Sequence, residues 1–200
     1  MSVTQSTQRW QGYLNSDLTE LASKITSQYG VNPYSPVEHA AAIHYEVNKK
    51  VDYEPRFKSS PSREMRSPLE TWRVKAGNCQ EKSLLTASLL STIGGFRIRT
   101  VVLESDQGNK HRVLEIKIPY HPQDVCETVW NFYKESSCTG SFKDTVGFEQ
   151  HPEGEYTWLI ADSGTKYIGD LSHLERLGYV IEPSEGSWDF YELKEKHELV

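Results

Sequence analysis

Two hundred residues, 36% of them hydrophobic and with five Trp and eleven Tyr, suffice for one domain built on a single core. A net charge of -6 offers no attraction to phosphate backbones or anionic lipid, so neither nucleic acid nor a membrane surface is expected as a partner. No apolar run approaches the roughly 20 residues that span a bilayer, and Met1-Ser2-Val3-Thr4-Gln5-Ser6 lacks the basic and apolar regions of a leader. A cytoplasmic protein is the expectation. Three cysteines, Cys79, Cys126 and Cys138, are too few for a disulfide framework. Cys126 and Cys138 could pair, but two reduced thiols are the leading expectation.

The first helix signal follows Asn15-Ser16-Asp17, with Leu18, Leu21 and Ile25 on one stripe and Gly30 as its stop. The second is better marked. Ser35 is a capping residue, Pro36 takes the first helical position and Glu38 the capping-box position, while Ala40, Ile43 and Val47 form the buried stripe. Tyr53 and Pro55 end it. Lys58 to Pro68, rich in Ser, Pro and Arg, reads as a surface loop beside a cleft. A third helix runs from about Cys79 to Ile93, with Leu85, Leu89 and Ile93 at helical spacing before Gly94-Gly95.

Beyond that point the period changes. Phe96 to Leu103 is rich in β-branched residues and reads as a strand. His111 to Ile118 is a second, with Leu114, Ile116 and Ile118 on one face and His111, Val113 and Glu115 on the other. Tyr156 to Ala161 is a third and leads into Asp162. Residues 120–155 read as an insertion that shapes substrate access, with a short helix over Asp124 to Tyr133 and loop chemistry elsewhere. The tail is expected to add a strand near Tyr179-Val180-Ile181. The resulting expectation is α+β: N-terminal helices, one of them bearing a nucleophile, packed on a small, mostly antiparallel sheet. It is a single domain over residues 1–200, with its core at about 18–171.

Chemistry concentrates at Cys79. Asn78 is a favoured N-cap and Glu81 completes the reciprocal box, which puts the sulfur in the first helical turn. Unpaired backbone N–H groups and the helix dipole favour negative charge there, and a thiolate is the reactive form of cysteine. A thiol nucleophile also needs an oriented base and an oxyanion stabiliser. His111 would pair with the thiolate and protonate the leaving group, Asp162 would hold the second imidazole nitrogen, and the Cys79 backbone N–H would supply half of the oxyanion hole.

Taken singly, each residue has an ordinary explanation: a buried small hydrophobe, a satisfied strand-edge histidine, a turn-forming aspartate. A zinc set of His121, Cys126, Cys138 and His151 matches no standard spacing and is disfavoured against ordinary loop residues. Neither a glycine-rich phosphate loop nor an EF-hand series is present, so no cofactor and no metal is expected.

The ordered combination resembles the transglutaminase-like superfamily. Its pieces here are Gly77-Asn78-Cys79 opening a helix with Leu84-Leu85, the strand Gly95-Phe96-Arg97-Ile98-Arg99-Thr100-Val101-Val102, the strand His111-Arg112-Val113-Leu114-Glu115-Ile116, and Trp158-Leu159-Ile160-Ala161-Asp162. The helix preceding Tyr53 is similar to the family's N-terminal helix, and the resemblance spans about Leu18 to Leu171. It implies a papain-like Cys-His-Asp arrangement in which Cys79, His111 and Asp162 are nucleophile, base and orienting acid. The family often has Asp at the place of Asn78, Ala-Trp where Arg112-Val113 stand, and Asp-Pro-Thr where Asp162-Ser163-Gly164 stand. Tyr53, Trp72 and Asn78 are candidates for the oxyanion hole or cleft wall.

The function expected is acyl transfer on amide or peptide bonds of a protein or peptide substrate through a thioester, with hydrolysis leading as in a cysteine protease. Two alternatives stand beside it: transfer of a glutamine acyl group to an amine, as in a transglutaminase, and a non-catalytic binding or scaffold module of the same fold.

Overall fold

The computed structural model describes residues 4–6, 16–54, 65–104, 110–136, 138, 145–150, 156–176 and 189–192. Its elements in chain order are β1 (Thr4–Ser6), α1 (Ser16–Gln28), α2 (Pro36–Lys50), β2 (Asp52–Tyr53), α3 (Pro68–Val74), β3 (Ala76–Gly77), α4 (Cys79–Ile93), β4 (Arg97–Glu104), β5 (Lys110–Ile118), α5 (Pro122–Glu135), β6 (Thr145–Gln150), β7 (Thr157–Asp162), α6 (Ser172–Arg176) and β8 (Asp189–Glu192). Six strands form one sheet in the order β1-β4-β5-β7-β6-β8. Every pairing in it is antiparallel. β2 and β3 form a separate two-stranded parallel pair. The α+β architecture expected from the sequence is the one observed.

The helices start where side-chain chemistry satisfies their first N–H groups. Ser35 Oγ accepts from Glu38 N ahead of Pro36, and Ser67 Oγ accepts from Glu70 N ahead of Pro68. Gly30, Gly94 and Gly95 have positive φ angles of 62°, 87° and 78°, conformations that side-chain-bearing residues rarely adopt, and they end α1 and α4. α4 is buried on all sides from Glu81 to Leu90 and runs through the interior. α1, α2 and α3 pack against it, and α2, α4 and α5 lie on the sheet.

Two-residue alternation divides the sheet faces. Leu114, Ile116, Ile118, Leu159 and Ala161 join the main core with the helices. Val101, Leu103, Val113 and Ile160 point the other way and form a smaller cluster with Leu171 and Leu174. Farther along this second face, Arg99 pairs with Glu115 and, at 2.7 Å, with Glu149, while its guanidinium lies 4.1 Å from the Trp158 ring centre.

Residues 120–155 contribute more to the core than loop chemistry would. The helix read over Asp124 to Tyr133 extends from Pro122 to Glu135 and buries Val125, Cys126, Val129, Phe132 and Tyr133. The expected loop beyond it instead contains β6, which pairs with β7 and buries Val146 and Phe148. Gly147 hides that strand from propensity. It is required by packing, because a Cβ there would lie 2.6 Å from Leu171 Cδ1. α3 is a further element that the sequence reading passes over. The strand expected near Tyr179-Val180-Ile181 lies outside the described residues.

Candidate active site

The turn into α4 is fixed from several directions. Asn78 Oδ1 accepts from Gln80 N at 2.9 Å and Glu81 N at 3.0 Å, and Glu81 Oε2 accepts from Asn78 N at 3.1 Å. The capping box predicted from sequence is complete. Glu81 Oε1 also accepts from Arg66 N at 3.0 Å, and the Arg66 guanidinium donates to Ala76 O at 2.6 Å. Backbone bonds from Asp52 N to Lys75 O and from Glu54 N to Gly77 O, each 2.9 Å, tie this turn to the end of α2. Gly77 is packed closely, since a Cβ would stand 3.0 Å from Thr71 Cγ2. Cys79 is therefore held at the first position of a helix whose start cannot shift without breaking backbone bonds.

His111 and Asp162 come from neighbouring strands. Val113 is the register partner of Asp162, so His111, two residues earlier, is its diagonal neighbour on the same sheet face. His111 Nε2–H donates to Asp162 Oδ1 at 2.7 Å, and Gly164 N donates to the same oxygen at 2.9 Å. The Cys79 thiol is hydrogen-bonded to His111. With Nε2 turned to the carboxylate, Nδ1 is the nitrogen left to the sulfur.

Burial alone would push the Cys79 thiol up. The hydrogen bond and charge of His111, with backbone hydrogen bonds to Arg112 and Gln80, outweigh it and hold the thiol below its ordinary value. Burial would likewise lower His111, but Asp162 and Cys79 raise it to about 9. The two shifts run in the direction of a thiolate facing an imidazolium, with a buried carboxylate beside the ring. His111 and Asp162 are almost wholly buried, whereas Cys79 is half-buried and accessible.

The other candidates sit at different distances from this line. Asn78 caps α4 directly before Cys79. Tyr53, 41% exposed, packs edge-on to His173 with ring centres 6.0 Å apart. Trp72 lies against the main core with Lys75 Nζ 3.3 Å from its ring centre.

Sequence reasoning overlooked three groups around Asp162. The His173 ring meets His111 at 5.2 Å and 64°, and it covers Gly164 so closely that a Cβ there would lie 2.0 Å from its Cδ2. Lys82 is buried one turn along α4 from Cys79. Burial lowers its ammonium to about 8 against the opposing pull of Asp162. His44 is buried on α2 and kept neutral, lowered to about 4 by desolvation. Lys82 had a visible signal in its spacing from Cys79 on one helix. His173 sits on five helical residues with no periodicity to read.

Cys126 lies in the main core, Cys138 accepts from Ser136 Oγ at 3.0 Å, and no disulfide joins them. Of the zinc set considered from sequence, His121 precedes α5 as its N-cap and His151 lies outside the described residues. His111, Asp162 and His173, by contrast, bring potential ligand atoms within 4.8 Å of one another. Among the described residues, no helix is long and apolar enough to cross a membrane.

The fold thus brings a helix-borne thiol together with an imidazole and a carboxylate on adjacent antiparallel strands. The superfamily is shown directly by a family model, "Transglutaminase-like superfamily", that matches residues 20–125. The chain belongs to the transglutaminase-like superfamily. Cys79 and His111 fall inside the matched range and Asp162 beyond it.

Solved structures similar to the chain include Legionella pneumophila LapG, at 18% identity over 78% of this chain and 76% of that one, with a TM-score of 0.42. A candidate cysteine protease from Cytophaga hutchinsonii is similar at 12% identity over 89% of this chain, with a TM-score of 0.39. The chain spans about half of that protein, 52% of its length. No curated protein matches the chain.

Proposed function

We propose that the chain is a cysteine-dependent acyl-transfer enzyme acting on amide or peptide bonds of a protein or peptide substrate, with water as the acceptor. One observation carries the reading: His111, the neighbour that lowers the Cys79 thiol, has its Nε2 hydrogen-bonded to Asp162 Oδ1 at 2.7 Å. The membership of the superfamily and the access to Cys79 support it.

In this reading the Cys79 thiolate attacks the carbonyl carbon. The negative oxygen that forms is stabilised by the backbone N–H of Cys79, the Gln80 and Glu81 amides being taken by Asn78 Oδ1. His111 gives its Nδ1 proton to the leaving amine, and a thioester remains on Cys79. His111, now neutral, takes a proton from an incoming water as that water attacks. Acid is released and the thiolate–imidazolium pair is restored. Asp162 keeps Nε2 as a donor throughout and stabilises the imidazolium. Asn78 positions the nucleophile through the cap, and Tyr53 lines the approach to the imidazole pair. No cofactor takes part.

Amine transfer shares every step up to the thioester and differs only in the acceptor that reaches it. A glutamine-containing peptide incubated with and without a primary amine separates the two: acid formation should exceed amine incorporation, and the reverse would make the chain a transferase. Iodoacetamide near neutral pH should label Cys79 far faster than Cys126 or Cys138, and His111→Ala should abolish that selectivity. Equal, slow labelling of all three thiols would leave a binding or scaffold module.

A further inference from the structure

Two buried polar atoms beside the thiol lack hydrogen-bond partners, and they come from different elements. Asp162 is fully buried, yet its Oδ2 accepts no hydrogen bond; Nε2 of His173, delivered by α6, makes none either. An unmet buried acceptor costs about 1–3 kcal/mol, so a group that satisfies both atoms is favoured. The backbone is shaped to admit this ring. At Gly164 a Cβ would lie 2.5 Å from His173 Nε2, and only glycine lets the imidazole settle beside the Asp162 turn.

We infer that His111, Asp162 and His173 form a binding site for a transition-metal dication, with Zn²⁺ as its representative, and that the bound ion blocks the thiol site. Two imidazoles and one carboxylate are the donor set with which zinc keeps a fourth position for water. Their potential ligand atoms already lie within 4.8 Å of one another. A tetrahedral ion with bonds of about 2.1 Å needs donors about 3.4 Å apart. His173 is half-buried on the five-residue α6, and closing to that spacing requires its ring or the strand ligands to shift.

On binding, the ion takes the Nε2 lone pair of His111, and the proton that Nε2 shared with Asp162 leaves to solvent. His111 keeps its Nδ1 proton toward Cys79 but can no longer carry a second one. Cys79 is not required as a ligand. The Lys82 ammonium faces the same carboxylate and opposes the ion, which makes the site one of moderate, reversible occupancy. Binding is independent of the acyl-transfer reading; only its inhibitory consequence rests on that reading.

The test is calorimetric titration of ZnCl2 into the full chain carrying Cys79→Ser. One saturable site is expected, and His173→Ala added to that chain should weaken it by more than about tenfold. His173→Gln serves if the alanine variant fails to fold by circular dichroism. Absence of saturable binding, or equal affinity with and without His173, overturns the site. Binding by the unsubstituted chain that Cys79→Ser removes also overturns it, because the thiolate would then be the ligand. In the unsubstituted chain ZnCl2 should slow turnover and EDTA should restore it. A chain that binds the ion but never turns over keeps this site and loses the proposed function; the opposite pairing does the reverse.

Discussion

Two neighbourhoods of the molecule, the tyrosines under the helices and the surroundings of Asp162, treat buried polar groups differently. Beneath α2, α4 and α5 the polar ends of the aromatic cluster are met: Tyr29 donates to Glu46 Oε2 at 2.6 Å, and Tyr133 donates to Ala41 O at 3.2 Å while accepting from Ile168 N at 3.0 Å. Beside the candidate nucleophile, by contrast, Asp162 Oδ2 and His173 Nε2 are buried without hydrogen-bond partners, and single side-chain atoms of Asn48, Ser83 and Ser88 are unmet elsewhere on α2 and α4. Around Tyr29 and Tyr133 the fold satisfies its own polar ends, whereas the pair of unmet atoms at Asp162 and His173 is of the kind that ligands and reacting groups can use.

Substitutions that separate these roles would sharpen the comparison. Asp162→Asn should lower turnover by about four orders of magnitude, because the amide cannot hold His111 in the required tautomer. Its thermal midpoint should move much less than its rate, and a loss of both together would erase the distinction between the two neighbourhoods. Leu89→Ala in α4 is the converse. It should cost about 2–5 kcal/mol of stability while the folded fraction keeps its selective Cys79 alkylation. A thermal melt read beside labelling with iodoacetamide decides it.

A smaller effect comes from pH. His111 is raised from 6.5 to about 9, so its charge contributes stability in full below about pH 6.5 and loses it as pH rises through about 9. The rate should fall about tenfold per pH unit above that point as the imidazolium disappears. Cys79 alkylation should stay rapid below the ordinary thiol value of 9.0 and fade as pH falls through the lowered value. Smallest is Asn78→Ala, which removes the α4 cap at a cost of about 1 kcal/mol and should slow Cys79 labelling modestly. An unchanged labelling rate would detach the cap from the site.

Much of the chemistry was legible because it rests on local rules. The cap at Asn78 placed Cys79 in a first turn, and simple alternation put His111 on one face with Val113. Ser35-Pro36 announced α2. The matching Ser67-Pro68-Leu69-Glu70 marks α3 just as clearly, although Ser67 and Pro68 fall at the end of the stretch that reads as loop. What stayed hidden depends on tertiary contacts. Gly147 lies within a strand because Leu171 occupies the space of its side chain. Lys82 is buried because α4 runs through the interior, and β1 is three polar residues whose strand character comes only from pairing with β4. No local pattern placed the His173 ring against His111.

The short parallel pair β2–β3 carries a consequence for motion. Asp52 and Glu54 donate their amides to Lys75 and Gly77 on the stretch leading into α4. Fraying at the nucleophile's end of that helix therefore cannot proceed without also releasing the tail of α2. Amide protons at these two positions should exchange with deuterium slowly and together, as one opening unit rather than two.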